Sequence, residues 1–156
     1  MSSLEYLLKL LSTSADVLGI PFIKTTPARL QSWTVENEPP FIALVGVTES
    51  NTKLNNSTNM LPSFDLAFVS VVASELDPTD EQITQQQIEA DKLAKSFRYL
   101  ISKNKYASID SFSLEELFRD GSYLGIGKGF TMTLTLPDLN DYCDLDCNTS
   151  TEDIKC

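Results

Sequence analysis

The sequence predicts an α+β domain: an antiparallel or mixed sheet packed against one long amphipathic helix plus a short N-terminal helix. Three observations predict it. First, Ile83, Gln87, Ala90, Ala94, Phe97 and Ile101 recur at steps of four and three, which only a 3.6-residue period places on one face. Second, Phe130, Met132, Leu134 and Leu136 alternate strictly with Thr131, Thr133 and Thr135, the period of a strand with one wet face. Third, the apolar runs Phe41–Val47 and Phe64–Ser74 have strand length and are bounded by turn residues.

Taken in order, Ser2 and Glu5 form a capping-box pattern ahead of Leu4, Leu7, Leu8 and Leu11. A short amphipathic helix is expected from there to Leu18, stopped by Gly19 and Pro21. A strand around Leu30–Val35 would carry Trp33, and Glu38-Pro39-Pro40 is a stiff break. Phe41–Val47 follows as a buried strand. The polar stretch Glu49–Pro62, rich in Asn, Ser and Thr, reads as a long loop or arm reaching away from the sheet. In Phe64–Ser74 both alternating faces are largely apolar, which predicts a central strand covered on both sides.

The long helix is expected over Asp77–Tyr106, with Asp77 as cap, Pro78 in the first helical position, and Asp80 and Glu81 near the positive dipole end. Leu93 and Leu100 widen its apolar stripe, and Asp91 precedes Lys95 in the favourable order for an ion pair. Ser113–Phe118 fits either a helical turn or an edge strand. Gly121, Gly125, Gly127 and Gly129 mark a glycine-rich turn before the final alternating strand, which Pro137 ends. The division is one α+β domain over 1–137 and an acidic C-terminal extension over 138–156. Leu139, Tyr142 and Leu145 are the extension's apolar anchors. Asp138–Leu145 is therefore expected to lie along a surface, and residues 148–156 to lack structure of their own.

Composition narrows the chemistry. Formal net charge is −10, and half of it sits in 138–156, where Asp138, Asp141, Asp144, Asp146, Glu152 and Asp153 face only Lys155. Binding phosphates needs clustered Lys and Arg, so specific nucleic-acid binding is not expected. No histidine is present, which removes the commonest general base and metal ligand. Residues 1–11 lack a signal-peptide pattern, and no apolar run approaches the ~20 residues that span a bilayer. A reducing cytosol and free thiols are expected.

The candidate motifs fall short of a site. Gly125-Ile-Gly127-Lys128-Gly129 runs into a strand, whereas a phosphate loop must open a helix. Cys143, Cys147 and Cys156 are three ligands where structural zinc takes four. From Asp138 onward the acidic stretch lacks the glycine and closing glutamate of a calcium loop. Glu115 and Glu116 adjoin without sharing a face. The Asn-x-Ser/Thr matches at Asn55 and Asn56 carry meaning only in a secreted protein. No catalytic, cofactor-binding or metal-binding residue is expected, and no cofactor.

The order of elements, with Ala90–Ala94 and Phe97–Ile101 in the helix and the Thr-alternating strand after a Gly-rich turn, resembles small structural proteins of tailed bacteriophages. These are the tail-terminator and tail-completion proteins of the neck. Leu136-Pro137-Asp138 with Asp141-Tyr142-Cys143 is similar to proteins of phages that infect Bacteroidetes bacteria. The likeness covers 1–145 and is one of architecture. It implies a non-enzymatic virion protein made in the host cytoplasm. Such a protein forms a homo-oligomeric ring, six-fold or twelve-fold, at the head–tail junction beside tail-tube or connector proteins. An acidic channel would let DNA pass without sticking. The alternatives from the residues alone are an acidic cytoplasmic adaptor or inhibitor that binds a basic partner, and an enzyme using carboxylates only.

Overall fold

The computed structural model describes residues 2–30, 40–53, 60–73, 79–116, 126–136, 146–147 and 154–155. Helix α1 (Ser3–Leu18) begins where the sequence places it. Ser2 Oγ accepts from Glu5 N at 3.2 Å, and Ser2 N donates to Glu5 Oε2 at 2.6 Å. Gly19 closes the helix at φ 70°, a left-handed conformation that costs glycine nothing. After β1 (Phe22–Lys24) comes a helical turn over residues 27–30, so Leu30 is helical where a strand was expected. Trp33 and Val35 lie outside the described residues.

Strands β2 (Phe41–Lys53) and β3 (Met60–Ala73) form an antiparallel hairpin, with Lys53 opposite Met60. The polar arm expected over Glu49–Pro62 is corrected here. Glu49–Lys53 and Met60–Pro62 extend the two strands, and only 54–59 remain between them, outside the described residues. Backbone pairing overrides the polar composition because the side chains at this end of β2 reach solvent, as exposed Thr48–Asn51 show.

Helix α2 (Asp80–Ser102) is capped by Thr79, whose hydroxyl accepts from Gln82 N while Gln82 Oε1 accepts from Thr79 N. The cap is therefore Thr79, two residues beyond the expected Asp77. A Thr with Gln three positions on satisfies two terminal N–H groups reciprocally. The helix ends at Ser102, short of Tyr106, and Asp77 and Pro78 lie outside the described residues. Ala90, Ala94, Phe97 and Ile101 are buried, and Lys95 meets Asp91 at 2.7 Å, as the spacing predicts.

The sheet is completed by β4 (Ser108–Glu116) and β5 (Ile126–Thr135), in the order β1-β2-β3-β5-β4. Only β1 and β2 run parallel; every other pair is antiparallel. The 113–116 segment is an edge strand, the second of the two expected readings. Gly127 and Gly129 belong to β5, opposite Val71 and Val69, and are not part of a turn. In the tail, β6 (Asp146–Cys147) pairs with β7 (Ile154–Lys155), so the end of the chain carries a short ladder of its own. Residues 138–145 lie outside the described residues.

Both helices lie on one face of the sheet. Tyr6, Leu7, Leu10 and Leu11 of α1 join Phe97 and Ile101 of α2 over Ile42, Leu44, Phe64, Leu66, Phe68, Phe130, Met132 and Leu134. At its centre Phe97 stands edge-on to Phe68 at 5.6 Å and to Phe130 at 6.3 Å, while Phe68 stacks on Phe130 at 4.8 Å. Ser70, Ala90 and Ala94 are small, so the helix comes close enough for Ser70 Oγ to lie 3.0 Å from the Ala90 carbonyl.

Asn104 ties the layers together beyond α2. Its Oδ1 accepts from Tyr106 N at 2.8 Å and Ala107 N at 3.0 Å, and its Nδ2 donates to Tyr6 Oη at 3.2 Å.

Phe97→Ala is expected to lower unfolding stability by about 3–5 kcal/mol in urea titration, as a large buried ring leaves a cavity. Tyr99→Ala, two residues on at the opposite face of the helix and 58% exposed, should stay within about 0.5 kcal/mol. The Glu5 carboxyl is held below its ordinary 4.5, first by the Ser2 backbone N–H and then by the Ser2 hydroxyl. A depressed carboxylate stabilises the fold above the unfolded value and ceases to do so as pH falls through the folded one. Wild type should therefore lose more stability than Glu5→Gln as acid titration passes below about 4.5.

Candidate functional site: the open polar face of the sheet

The expectation that β3 is covered on both sides holds for one end only. Opposite the helices, Leu30 of the helical turn covers Phe41, Ala43 and Val71, with Ile23, Val45 and Val69 beside them. Beyond Ala67 no described element covers this face, and it becomes polar.

Two bulges create the change. In β2 an extra residue between Leu44 and Gly46 switches the alternation. Leu44 and then Val47 face the core, so Thr48 and Ser50 turn to the open side. In β4 the irregularity between Ile109 and Ser111 does the same. Ile109, Phe112 and Leu114 keep to the core, and Ser111, Ser113 and Glu115 turn outward. The Thr131–Thr133–Thr135 row needs no such device and faces outward as its alternation predicts.

The result is a set of rows running across the strands. Thr48, Asp65, Thr133 and Ser111 are level with one another, as are Gly46, Ala67, Thr131 and Ser113. Ser111 Oγ donates to Thr133 Oγ1 at 3.0 Å, and Thr133 Oγ1 donates to Asp65 Oδ1 at 2.7 Å. One row on, Thr135 Oγ1 donates to Asp110 Oδ2 at 2.6 Å. The Ser113 and Thr131 hydroxyls are hydrogen-bonded to each other. Each carboxylate thus orients a threonine hydroxyl and keeps acceptor capacity for solvent.

Between the rows lies a shallow depression of about 370 Å³. Gly46 and Ala67 form its low floor, and Thr48, Asp65, Thr131 and Thr133 stand around it. A Cβ at Gly46 would come 3.4 Å from that of Ala67, so an alanine there would close the floor in ordinary van der Waals contact. The depression holds one carboxylate, Asp65. A glycosidase-like or aspartic pair needs two acids in reach of one substrate atom, and Asp110 and Glu115 lie outside its lining.

Asp65, Asp110 and Glu115 supply the charge of this face, and among the described residues in its rows there is no Lys or Arg. Lys128 belongs to the other side, 3.9 Å from Asp91 of α2. Residues 126–129 of the Gly125–Gly129 motif lie in β5, and Gly125 lies outside the described residues. Cys143 and Cys156 lie outside the described residues, and Cys147 sits on β6. Among the described residues, no group of three or more Cys, Asp or Glu could hold a metal ion. The alternation of 130–136 was the one signal in the sequence for this face; the parts of Asp65 and Ser111 appear only once the bulged registers are known.

Compared with known families and with characterised proteins, the chain matches neither a family nor an individual protein.

Reversing the charge tests what the face does electrostatically. Wild type should not retard duplex DNA in a mobility-shift gel even at low salt. Asp65→Lys combined with Glu115→Lys changes two of the 22 acidic residues and leaves the chain net acidic; it should elute earlier than wild type from an anion exchanger, still fail to retard DNA at moderate salt, and keep its melting temperature within a few degrees because both side chains are exposed.

Proposed function

We propose that this chain is a structural protein of a tailed-phage virion. In this reading copies of it assemble into a ring at the head–tail neck, in a tail-terminator or tail-completion role, without catalysing a reaction. The observation that carries the reading is the two-sided sheet. One face is sealed by both helices. The other offers broad rows of Ser, Thr and carboxylate with no cation among the described residues and no pair of acids in one pocket.

Such a surface suits passive contact with DNA. Phosphates meet hydroxyls that are already engaged with one another and carboxylates that repel them, so no counterion-releasing contact forms. With a formal net charge of −10, the field of the whole chain has the same sign. The ring's neighbours would be tail-tube or connector proteins, and the protein would reside in the virion after synthesis in the host cytoplasm. The resemblance in element order, now joined by the α+β fold with a long helix on a five-stranded sheet, gives the reading its direction.

Mass photometry and negative-stain microscopy of the purified protein test it, together with antibody labelling of purified particles. The expected outcome is a closed ring of six or twelve copies and label confined to the neck. A chain that stays monomeric at all concentrations and is absent from particles would end the proposal. Retention on a basic partner at low salt, with no ring, would favour an acidic adaptor instead.

A further inference from the structure

Among the described residues the five-stranded sheet has two unfilled edges, on opposite sides. At one, β4 is terminal over its whole length. At the other, β1 pairs only with Ile42–Leu44 of β2, and Thr25 N reaches Leu44 O; past the bulge, the side of Gly46–Asn51 away from β3 has no strand beside it among the described residues. Along both edges no described strand takes up the outward backbone N–H and C=O groups, which makes each a template for strand addition.

The two edges match. Along the sheet, β2 and β5 run one way and β3 and β4 the other, as their pairings require. A copy rotated about an axis along the strands therefore brings its β2 antiparallel to the first copy's β4. Their levels also agree, because Thr48 and Ser111 belong to one row of the sheet, and Ser50 and Ser108 to the next. Their faces agree too. Thr48 and Ser50 would adjoin Ser111 and Ser108 on the polar side. Half-buried Val47 would adjoin half-buried Phe112 and Leu114 on the core side.

We infer that the outer edge of Ser108–Ser113 in one copy pairs antiparallel with Gly46–Asn51 of the next, so that a second copy of this chain is the partner of each edge. The inference rests on the ring reading and gives it a contact. Two different edges meet, so the interface is heterologous and propagates in one rotational sense until it closes. The helix layer lies on one face only and makes the subunit wider there. Curvature then places helices outside and the hydroxyl–carboxylate rows inside, joined from copy to copy. The exposed charge of Glu115 at the far end of β4 limits indiscriminate pairing of that edge.

Cysteine cross-linking tests the register. In a background carrying Cys143→Ser, Cys147→Ser and Cys156→Ser, Thr48→Cys is combined with Ser111→Cys, and separately Ser50→Cys with Ser108→Cys. All four sites are exposed, so the monomer should fold, which circular dichroism checks. Directly opposed antiparallel residues have Cα atoms about 4.5–5.5 Å apart, within reach of a disulfide or a short bismaleimide. The expected result is a denaturing-gel ladder rising beyond dimer for each double variant, and monomer for each single one. A ring seen by mass photometry with no ladder from either pair would overturn the edge pairing and leave the ring reading standing. Dimer from Ser111→Cys alone would overturn it in favour of a symmetric β4–β4 contact. A wild-type chain that is monomeric throughout would remove both readings.

Discussion

The packing of Phe97 between Phe68 and Phe130 is the contact on which the rest of the structure depends. It joins the long helix to the two central strands, and those strands pair with each other directly beneath it. Phe22 reaches the same ring at 6.4 Å and Phe112 reaches Phe130 at 5.8 Å, so elements from both sides of the sheet refer to one aromatic centre. Edge-to-face and offset geometries add directional preference to area burial. The ring group therefore fixes the angle of α2 as well as its distance. Small residues at Ser70, Ala90 and Ala94 are what allow the approach.

A sheet covered on one face has to be polar on the other, or it aggregates. Here the requirement is met with hydroxyls and carboxylates in register. Because the hydroxyls hydrogen-bond across strands, they also stiffen the surface they form. The same rows thus present fixed hydroxyls and carboxylates, with no Lys or Arg among the described residues in them.

Periodicity made much of this legible. The 3.6-residue stripe found α2 and its buried Ala90, Ala94, Phe97 and Ile101, and strict alternation found β5 and which way its threonines point. The Ser2–Glu5 pattern found the start of α1. Where the reading failed, the cause is local and physical. Extending β2 and β3 through Asn- and Ser-rich sequence depends on cross-strand pairing, which composition does not report. Thr79 won the cap over Asp77 because Gln82 completes a reciprocal pair. Asn104 sits in a Lys-Asn-Lys context that reads as surface, yet it is 2% exposed and serves two backbone donors and a tyrosine. The bulges in β2 and β4 reverse the facing of every residue after them, so the open face could not be assembled from alternation alone.

Strand order bears on how the chain is made. The β2–β3 hairpin is local and can form as soon as residue 73 has emerged, and α2 follows at once to cover Phe64, Leu66 and Phe68. Strand β4 comes next, but among the described residues its only strand partner is β5, which is the last of the five to be synthesised and must enter between β3 and β4. Until then the nascent chain carries two unpaired edges in its interior as well as those at its rim. Closure of the sheet is a single late insertion, and the interval between residues 116 and 135 leaving the ribosome is when the chain is most exposed to premature pairing with another copy of itself.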